Sequence, residues 1–246
     1  MTTRFPGIVE KLERADENLH NLGAEVSRFF QECRYPVMPK LQDKEHAKAL
    51  AYYRALVIPP RFSVLSGEIV HHLRSCLDHI IWELSDGATR NSKDGRYLEF
   101  PILETRPTPE NKSIRYDRKI KGVQHVGALQ LIEKFQPYHR VAPSIDPLWI
   151  VHQMDIADKH RELVLTQSSG FMQGPWELMM QVRGHLTTGE PLSDTAKREF
   201  DEHARVTPQI SFRDFSGGTV EPIVPKLAEL ASYVSVVVSE FESAVV

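Results

Sequence analysis

Most of the polar residues that could do chemistry lie in one stretch, Arg61 to Leu84. Four polar residues in it are separated by four, three and four positions: Glu68, His72, Ser75 and His79. In a helix, residues at these spacings lie in one column along the surface. Arg74 and Asp78, four residues apart, would lie on the opposite edge at the spacing of an ion pair. Since five residues turn a helix by roughly 140°, Arg74 and His79 would flank the helix rather than stack.

The segment Arg74-Ser-Cys-Leu-Asp-His79 resembles the R-x4-6-H motif of the HEPN superfamily of small helical domains. Many members are metal-independent endoribonucleases in which the motif lies at a homodimer interface. The residue after the arginine is Ser75 here, whereas active members commonly have Asn, Asp or His. The combination of LRSCLDHIIWEL with the later DPLW and DKHR is also similar to an uncharacterised family of bacterial proteins.

This resemblance implies a homodimer that cleaves RNA without a metal or other cofactor. The ribose 2′-hydroxyl would attack the adjacent phosphorus and leave a 2′,3′-cyclic phosphate and a 5′-hydroxyl. His79 would move protons, Arg74 would hold the scissile phosphate, and Asp78 or Ser75 would orient one of them. With Arg74 taken as a surface residue, Arg74→Ala is expected to abolish cleavage and leave the melting temperature nearly unchanged.

Two other interpretations of the same residues stay open. In the first, the Arg74–Asp78 pair is structural and the chain is a non-catalytic helical protein that binds another protein or a nucleic acid. The second is a metal site formed by the column and a later helix. Its ligands would be Glu68, His72, His79, His152 and Asp155. The Glu-x-x-x-His spacing differs from the Glu-x-x-His of di-iron bundles, which disfavours the metal.

The charge distribution restricts where RNA could bind. The net charge is −3 and the pI is about 6.4, so no global basic field attracts nucleic acid. The local candidate for phosphate contacts is the basic run from Pro109 to Gly122. The residues predicted to bind RNA there are Arg115, Arg118, Lys119 and Lys121. The alternative for this run is a solvated helix face.

Cysteine content and hydropathy point to a cytoplasmic protein. Cys33 and Cys76 are the only cysteines, too few for a disulfide framework, and Cys76 falls on an apolar helix face where we expect it to be buried. The N-terminus becomes charged before any apolar run long enough for a signal peptide. No stretch approaches the 18 apolar residues of a membrane span.

Apolar periodicity predicts a mainly α (α+β) fold in one domain. Helices are expected near residues 6–33, 62–84, 124–135, 146–163 and 222–243. The helical core would comprise about residues 1–165 and 220–246, with a small antiparallel β portion from about 166–215. Residues 34–58 fit either a helix or a β-hairpin, and we favour the hairpin. The valine-rich end, Ser232 to Val246, could supply a second apolar surface for dimerisation.

The helix expected to begin at Asp146 and Pro147 has a strong start signal, an N-cap aspartate followed by proline. It carries the second polar cluster of the chain. If it neighbours the motif helix, secondary site candidates on it could line the same cleft as Arg74 and His79. These candidates are Asp158, His160 and Arg161.

Overall fold

The structure, a computed structural model, describes residues 5–32, 55–108, 114–161, 163, 165–170, 181, 191, 193–203, 207–212 and 221–245. Within these ranges the chain forms eight helices and one three-stranded antiparallel sheet. The helices are α1 (Pro6–Glu32), α2 (Pro60–Leu84), α3 (Gly87–Arg90), α4 (Ile114–Lys119), α5 (Val126–Lys134), α6 (Pro147–His160), α7 (Asp194–His203) and α8 (Ile223–Ala244). The strands are β1 (Leu165–Gly170), β2 (Thr207–Phe212) and β3 (Glu221–Pro222). The predicted mainly α (α+β) class is confirmed.

Helices α1, α2, α6 and α8 pack into an antiparallel four-helix bundle. Helix α1 runs antiparallel to α2, because Glu25 pairs with Arg61 at one end and the Cys76 thiol reaches the carbonyl of Ile8 at the other. Helix α6 is also antiparallel to α2. The hydroxyl of Ser63 near the start of α2 donates to the carbonyl of Leu163, beyond the end of α6.

Helix α8 completes the bundle and runs in the same direction as α2. It begins beside Gly23 of α1, and near its end Phe241 packs edge-to-face on Phe100. Phe100 is in turn hydrogen bonded to Arg74 and Asp78 in the second half of α2. The motif helix α2 therefore packs against α1, α6 and α8.

The apolar arc of α2 forms the centre of the core, as its spacing predicts. Leu73, Cys76, Leu77, Ile80 and Ile81 are each fully buried, and removing such side chains from water is the main stabilising contribution to the bundle. Pro60 is tolerated in the first turn, where its missing N–H would have no helical partner. The helix ends at Leu84, and the following Ser85 hydroxyl bonds the carbonyl of Ile81.

The sheet follows α6 and is interrupted by a helix that the sequence did not predict. Strands β1 and β2 pair in register from Leu165–Phe212 to Gly170–Thr207, and β3 adds a short third strand. Between β1 and β2 lies α7, within the segment predicted as β-rich. Its sequence is polar, and Ala196 and Phe200 are its only apolar residues, too few to distinguish a helix from a loop by an apolar pattern.

All five predicted helices are present, with ends within three residues of the prediction. The Asp146 carboxylate accepts from the N–H of Leu148 at 2.9 Å, which confirms the predicted N-cap of α6. The predicted hairpin in residues 34–58 lies outside the described residues except for residues 55–58. No helix in the described part of the chain is long and apolar enough to cross a bilayer.

Candidate functional site

The polar residues of α2 divide between two flanks that face different neighbours. Asn18 of α1 donates to Glu68 on one flank, and Lys11 lies close enough to influence the pKa of both His72 and His79 there. The other flank faces α6 and the segment around Phe100. The predicted separation of Arg74 from His79 is therefore confirmed, because the two side chains have different surroundings.

Arg74 is the polar side chain with the most contacts on the flank that faces α6 and Phe100. Its Nη2 donates to the carbonyl of Phe100 at 2.9 Å and lies 2.8 Å from Oδ1 of Asp78 and 3.7 Å from Oε2 of Glu99. Asp78 Oδ1 accepts from the N–H of Phe100 at 2.9 Å. The ion pair thus binds both backbone groups of one residue and fixes the 99–100 segment to α2.

The expectation that Arg74 is a surface residue is wrong, because only 4% of its side chain is exposed. Helical periodicity placed it at the edge of the apolar arc, and the packing of α6 and of Phe100 covers that edge. Its Nη1 is buried and has no hydrogen-bond partner among the described residues. Burial also raises the pKa of Asp78, against the opposing effects of Arg74 and the Phe100 N–H.

His79 lies on the exposed surface of α2. Partial burial of its ring, with the nearby charge of Lys11, lowers its pKa, so the imidazole is neutral at pH 7 and able to accept a proton. Ser75 is half-buried between the two flanks. His72 is also half-buried; its Nδ1 has no partner among the described residues, and burial lowers its pKa.

The secondary candidates on α6 do not meet Arg74. The carboxylate of Asp158 lies directly against the backbone of Gly67, where a Cβ atom would be 2.0 Å from Oδ1. Its burial, together with the charge of Asp155, raises the pKa of Asp158. His160 and Arg161 are exposed at the C-terminal end of the helix. Helix α6 is a neighbour of α2, but these three residues lie at the end of the contact away from Arg74.

The residues of α6 that do face Arg74 and its surroundings are His152 and Asp155. Burial, together with the positive charges of Arg74 and Lys119, lowers the pKa of His152 to about 4. Asp155 is buried, pairs with Lys159 four residues later at 2.6 Å, and lies 3.5 Å from Nδ1 of His71. Sequence analysis did not assign His71 to a site, although it is three residues from Arg74 on the same flank.

These contacts define a polar seam between α2 and α6. It contains Gly67, His71, Arg74 and Asp78 of α2 with His152, Asp155 and Asp158 of α6. The seam combines buried carboxylates, a neutral imidazole and a guanidinium. These groups can hydrogen bond across the two helices and so stabilise their packing. No three His, Cys, Asp or Glu side chains within the described ranges are arranged to hold a metal ion.

The residues predicted to contact RNA are mostly engaged with carboxylates of the same chain. Arg118 and Lys121 pair with Asp94 at 3.3 Å and 2.6 Å. Lys119 pairs with Glu99 at 2.8 Å. The side chain of Arg115 and all of residues 109–113 lie outside the described part. Three of the four candidate cations therefore have their charge compensated locally.

The cysteine prediction is confirmed for Cys76. It is fully buried, and desolvation raises the pKa of its thiol to about 12. Such a thiol is a core residue and a poor nucleophile. Cys33 lies outside the described ranges.

Comparison with known proteins found no match to a family model, to a curated protein or to a solved structure. The class of this protein is therefore described from its fold and from the polar seam. It is an antiparallel four-helix bundle with a small appended sheet, in which a buried arginine–aspartate pair joins the central helix to a neighbouring loop.

Proposed function

We propose that this protein is a non-catalytic, HEPN-like helical binding protein that works as a homodimer in the cytoplasm. The burial of Arg74 carries this proposal. An arginine that holds a scissile phosphate must present its donors to the substrate, whereas this guanidinium is 4% exposed and bound to Asp78 and to the Phe100 backbone. Removing it from those partners would leave a carboxylate and a carbonyl uncompensated.

The surface best suited to binding is a strip that runs the length of α2 between α1 and α6. Its members, spaced by three or four residues, are exposed or half-exposed: Val64, Glu68, His71, Ser75, His79 and Trp82. Val64 is 54% and Trp82 41% exposed. An exposed tryptophan is typical of a binding surface, because tryptophan is enriched among residues that dominate binding energy.

The proposed occupant of this α2 strip is the same strip of a second copy. The strip carries one carboxylate, Glu68, and two histidines, His71 and His79, so in a two-fold interface the carboxylate of one copy would meet a histidine of the other. From Val64 to Trp82 the helix rises by about 27 Å. With a width of about 10 Å the strip covers roughly 270 Å². A stable interface buries about 800 Å² per partner, so adjacent parts of α1 and α6, including exposed Ile156, would contribute the remainder.

The test is the oligomeric state of the full chain by light scattering and sedimentation. We expect a dimer, and Trp82→Glu should weaken it by at least about 30-fold, since interface hot spots contribute 2 kcal/mol or more. Val236→Glu is the matched control, because Val236 is 51% exposed on α8, away from the strip. A monomer at micromolar concentration, or equal weakening by both variants, would refute the proposal.

RNA cleavage is the second candidate, and His79 favours it. Its exposed imidazole has a lowered pKa and can serve as a general base near neutral pH. The wild-type protein should be incubated with a mixed RNA pool in EDTA and the products examined for cyclic-phosphate ends. Cleavage that His79→Ala reduces by about 10² or more would overturn the non-catalytic assignment. The absence of products would leave binding as the function.

A further inference from the structure

A cavity of about 250 Å³ lies between the end of α5, the turn at residues 137–139, the segment that leads to α6, and α8. None of its lining residues belongs to the polar seam or to the α2 strip, so what it binds is independent of the proposed function. The volume corresponds to about eight water molecules at roughly 30 Å³ each. It is slightly below the range for drug-sized ligands, which limits an occupant to about one ring and one polar group.

The solvent-exposed part of the cavity lining carries positive charge. Lys134 and Arg140 both project from it with more than half of each side chain exposed. Its one carboxylate, Asp146, is 2% exposed and is used by Arg140 Nε at 3.1 Å and by the Leu148 N–H. His139 also lines the cavity, and its Nε2 lies 3.4 Å from Oε1 of Glu133.

The donors of these cations are only partly used inside the chain. Arg140 directs Nε to Asp146 and Nη2 to the Tyr233 hydroxyl at 3.3 Å, and its Nη1 donates to no group in the described part of the chain. Lys134 pairs with Glu240, which lies outside the cavity lining, and an ammonium has three donors. An entering anion could therefore bind Arg140 and Lys134 without breaking the buried contact to Asp146.

The apolar part of the lining is aromatic. Phe135 and Tyr233 meet edge-to-face, with ring centroids 6.4 Å apart and planes at 84°. Such a corner accepts a further ring in the stacked or edge-on geometries that aromatic groups prefer. The base of the cavity includes Gln136, whose amide is fixed by the carbonyls of Pro101 and Ile132. The buried polar groups are thus satisfied, and the ring corner and the exposed cations would select the ligand.

We propose that this cavity binds a small aryl anion, a single aromatic ring that carries one carboxylate or phosphate. The ring packs into the corner of Phe135 and Tyr233, and the anionic group binds the donors of Arg140 and Lys134. Carboxylate and phosphate both suit the site, since their oxygens accept charge-assisted hydrogen bonds from a guanidinium or an ammonium.

The test is calorimetric titration of the full-length protein with benzoate, phenyl phosphate and inorganic phosphate. At least one aryl anion should bind about tenfold or more tightly than inorganic phosphate, because burial of the ring adds favourable apolar transfer. The ratio of the benzoate and phenyl phosphate affinities decides which anionic group the site prefers. Binding of either one supports the proposal.

Lys134→Gln should weaken the preferred aryl anion about tenfold, as expected for the loss of one charged hydrogen bond. The matched control is Lys197→Gln, because Lys197 also forms a surface pair, with Asp194 on α7. Tyr233→Leu should remove the preference for an aryl anion over inorganic phosphate, and its melting curve reports whether it folds. Absence of binding at millimolar ligand, inorganic phosphate binding as tightly as the aryl anions, or equal weakening by Lys197→Gln would each overturn the proposal.

Discussion

Replacing Arg74 by alanine tests directly whether the Arg74–Asp78 pair maintains the fold. The substitution removes the donor to the Phe100 carbonyl and leaves the Asp78 carboxylate without its partner. Burial already raises the pKa of Asp78 despite the favourable charge of Arg74. Without that charge the carboxylate is harder still to ionise, and part of the stability of the bundle is lost.

The magnitude follows from the burial of the two partners. A hydrogen bond to a charged group contributes about 1.5–3 kcal/mol, and breaking a fully buried ion pair costs about 3–5 kcal/mol. Asp78 is 31% exposed, so water recovers part of the second cost. We expect Arg74→Ala to reduce the free energy of unfolding by about 3 kcal/mol. For a chain of this length the melting temperature should fall by about 6–12 °C.

The assay is urea and thermal unfolding followed by circular dichroism, with His79→Ala as the control. His79 is exposed, so its replacement should change stability by under about 0.5 kcal/mol. Asp78→Ala should be less costly in the Arg74→Ala background than in the wild type, because the pair is already broken. The destabilisation by Arg74→Ala should also shrink in acid, since protonated Asp78 needs no cation. A melting temperature equal to that of the wild type would refute the structural role.

Two other perturbations probe the seam. Gly67→Ala should destabilise the protein by about 1–3 kcal/mol, because the new Cβ would lie 2.0 Å from the Asp158 carboxylate; Asp158→Ala should restore stability in urea unfolding, and stabilisation by Gly67→Ala alone would contradict the contact. The pKa of His152 is lowered to about 4, so between pH 6.5 and 4 the unfolded state binds the proton first and stability falls as the pH falls. Through His152 the free energy of unfolding should be about 2 kcal/mol lower at pH 5 than at pH 7. Urea unfolding of His152→Leu should lack this decrease, and an unchanged pH dependence would contradict the buried neutral imidazole.

The sequence was sufficient to locate the helices of the bundle. Apolar residues at helical spacing identify a core face, and prolines and capping residues mark where a helix begins. These signals are local, so the limits of α2 and the capping of α6 by Asp146 were predicted to within a few residues. Helix α7 has only two apolar residues, Ala196 and Phe200, and its presence between β1 and β2 was not predicted.

Local spacing also predicted the ion pair within α2. Arg74 and Asp78 are four residues apart and pair as expected; Asp155 and Lys159 of α6 pair at the same spacing. The same spacing correctly separated Arg74 from His79. Neither result required knowledge of which helices are neighbours.

Only the tertiary structure decided what these residues face. A polar side chain at the edge of an apolar arc is exposed or buried according to what packs against that edge, and no pattern within α2 specifies this. The contacts of Arg74 with Phe100 and of Asp158 with Gly67 join positions far apart in the chain. The direction of α6 brings His152 and Asp155, rather than His160 and Arg161, to the centre of the seam, because antiparallel packing reverses the order of contacts along the two helices.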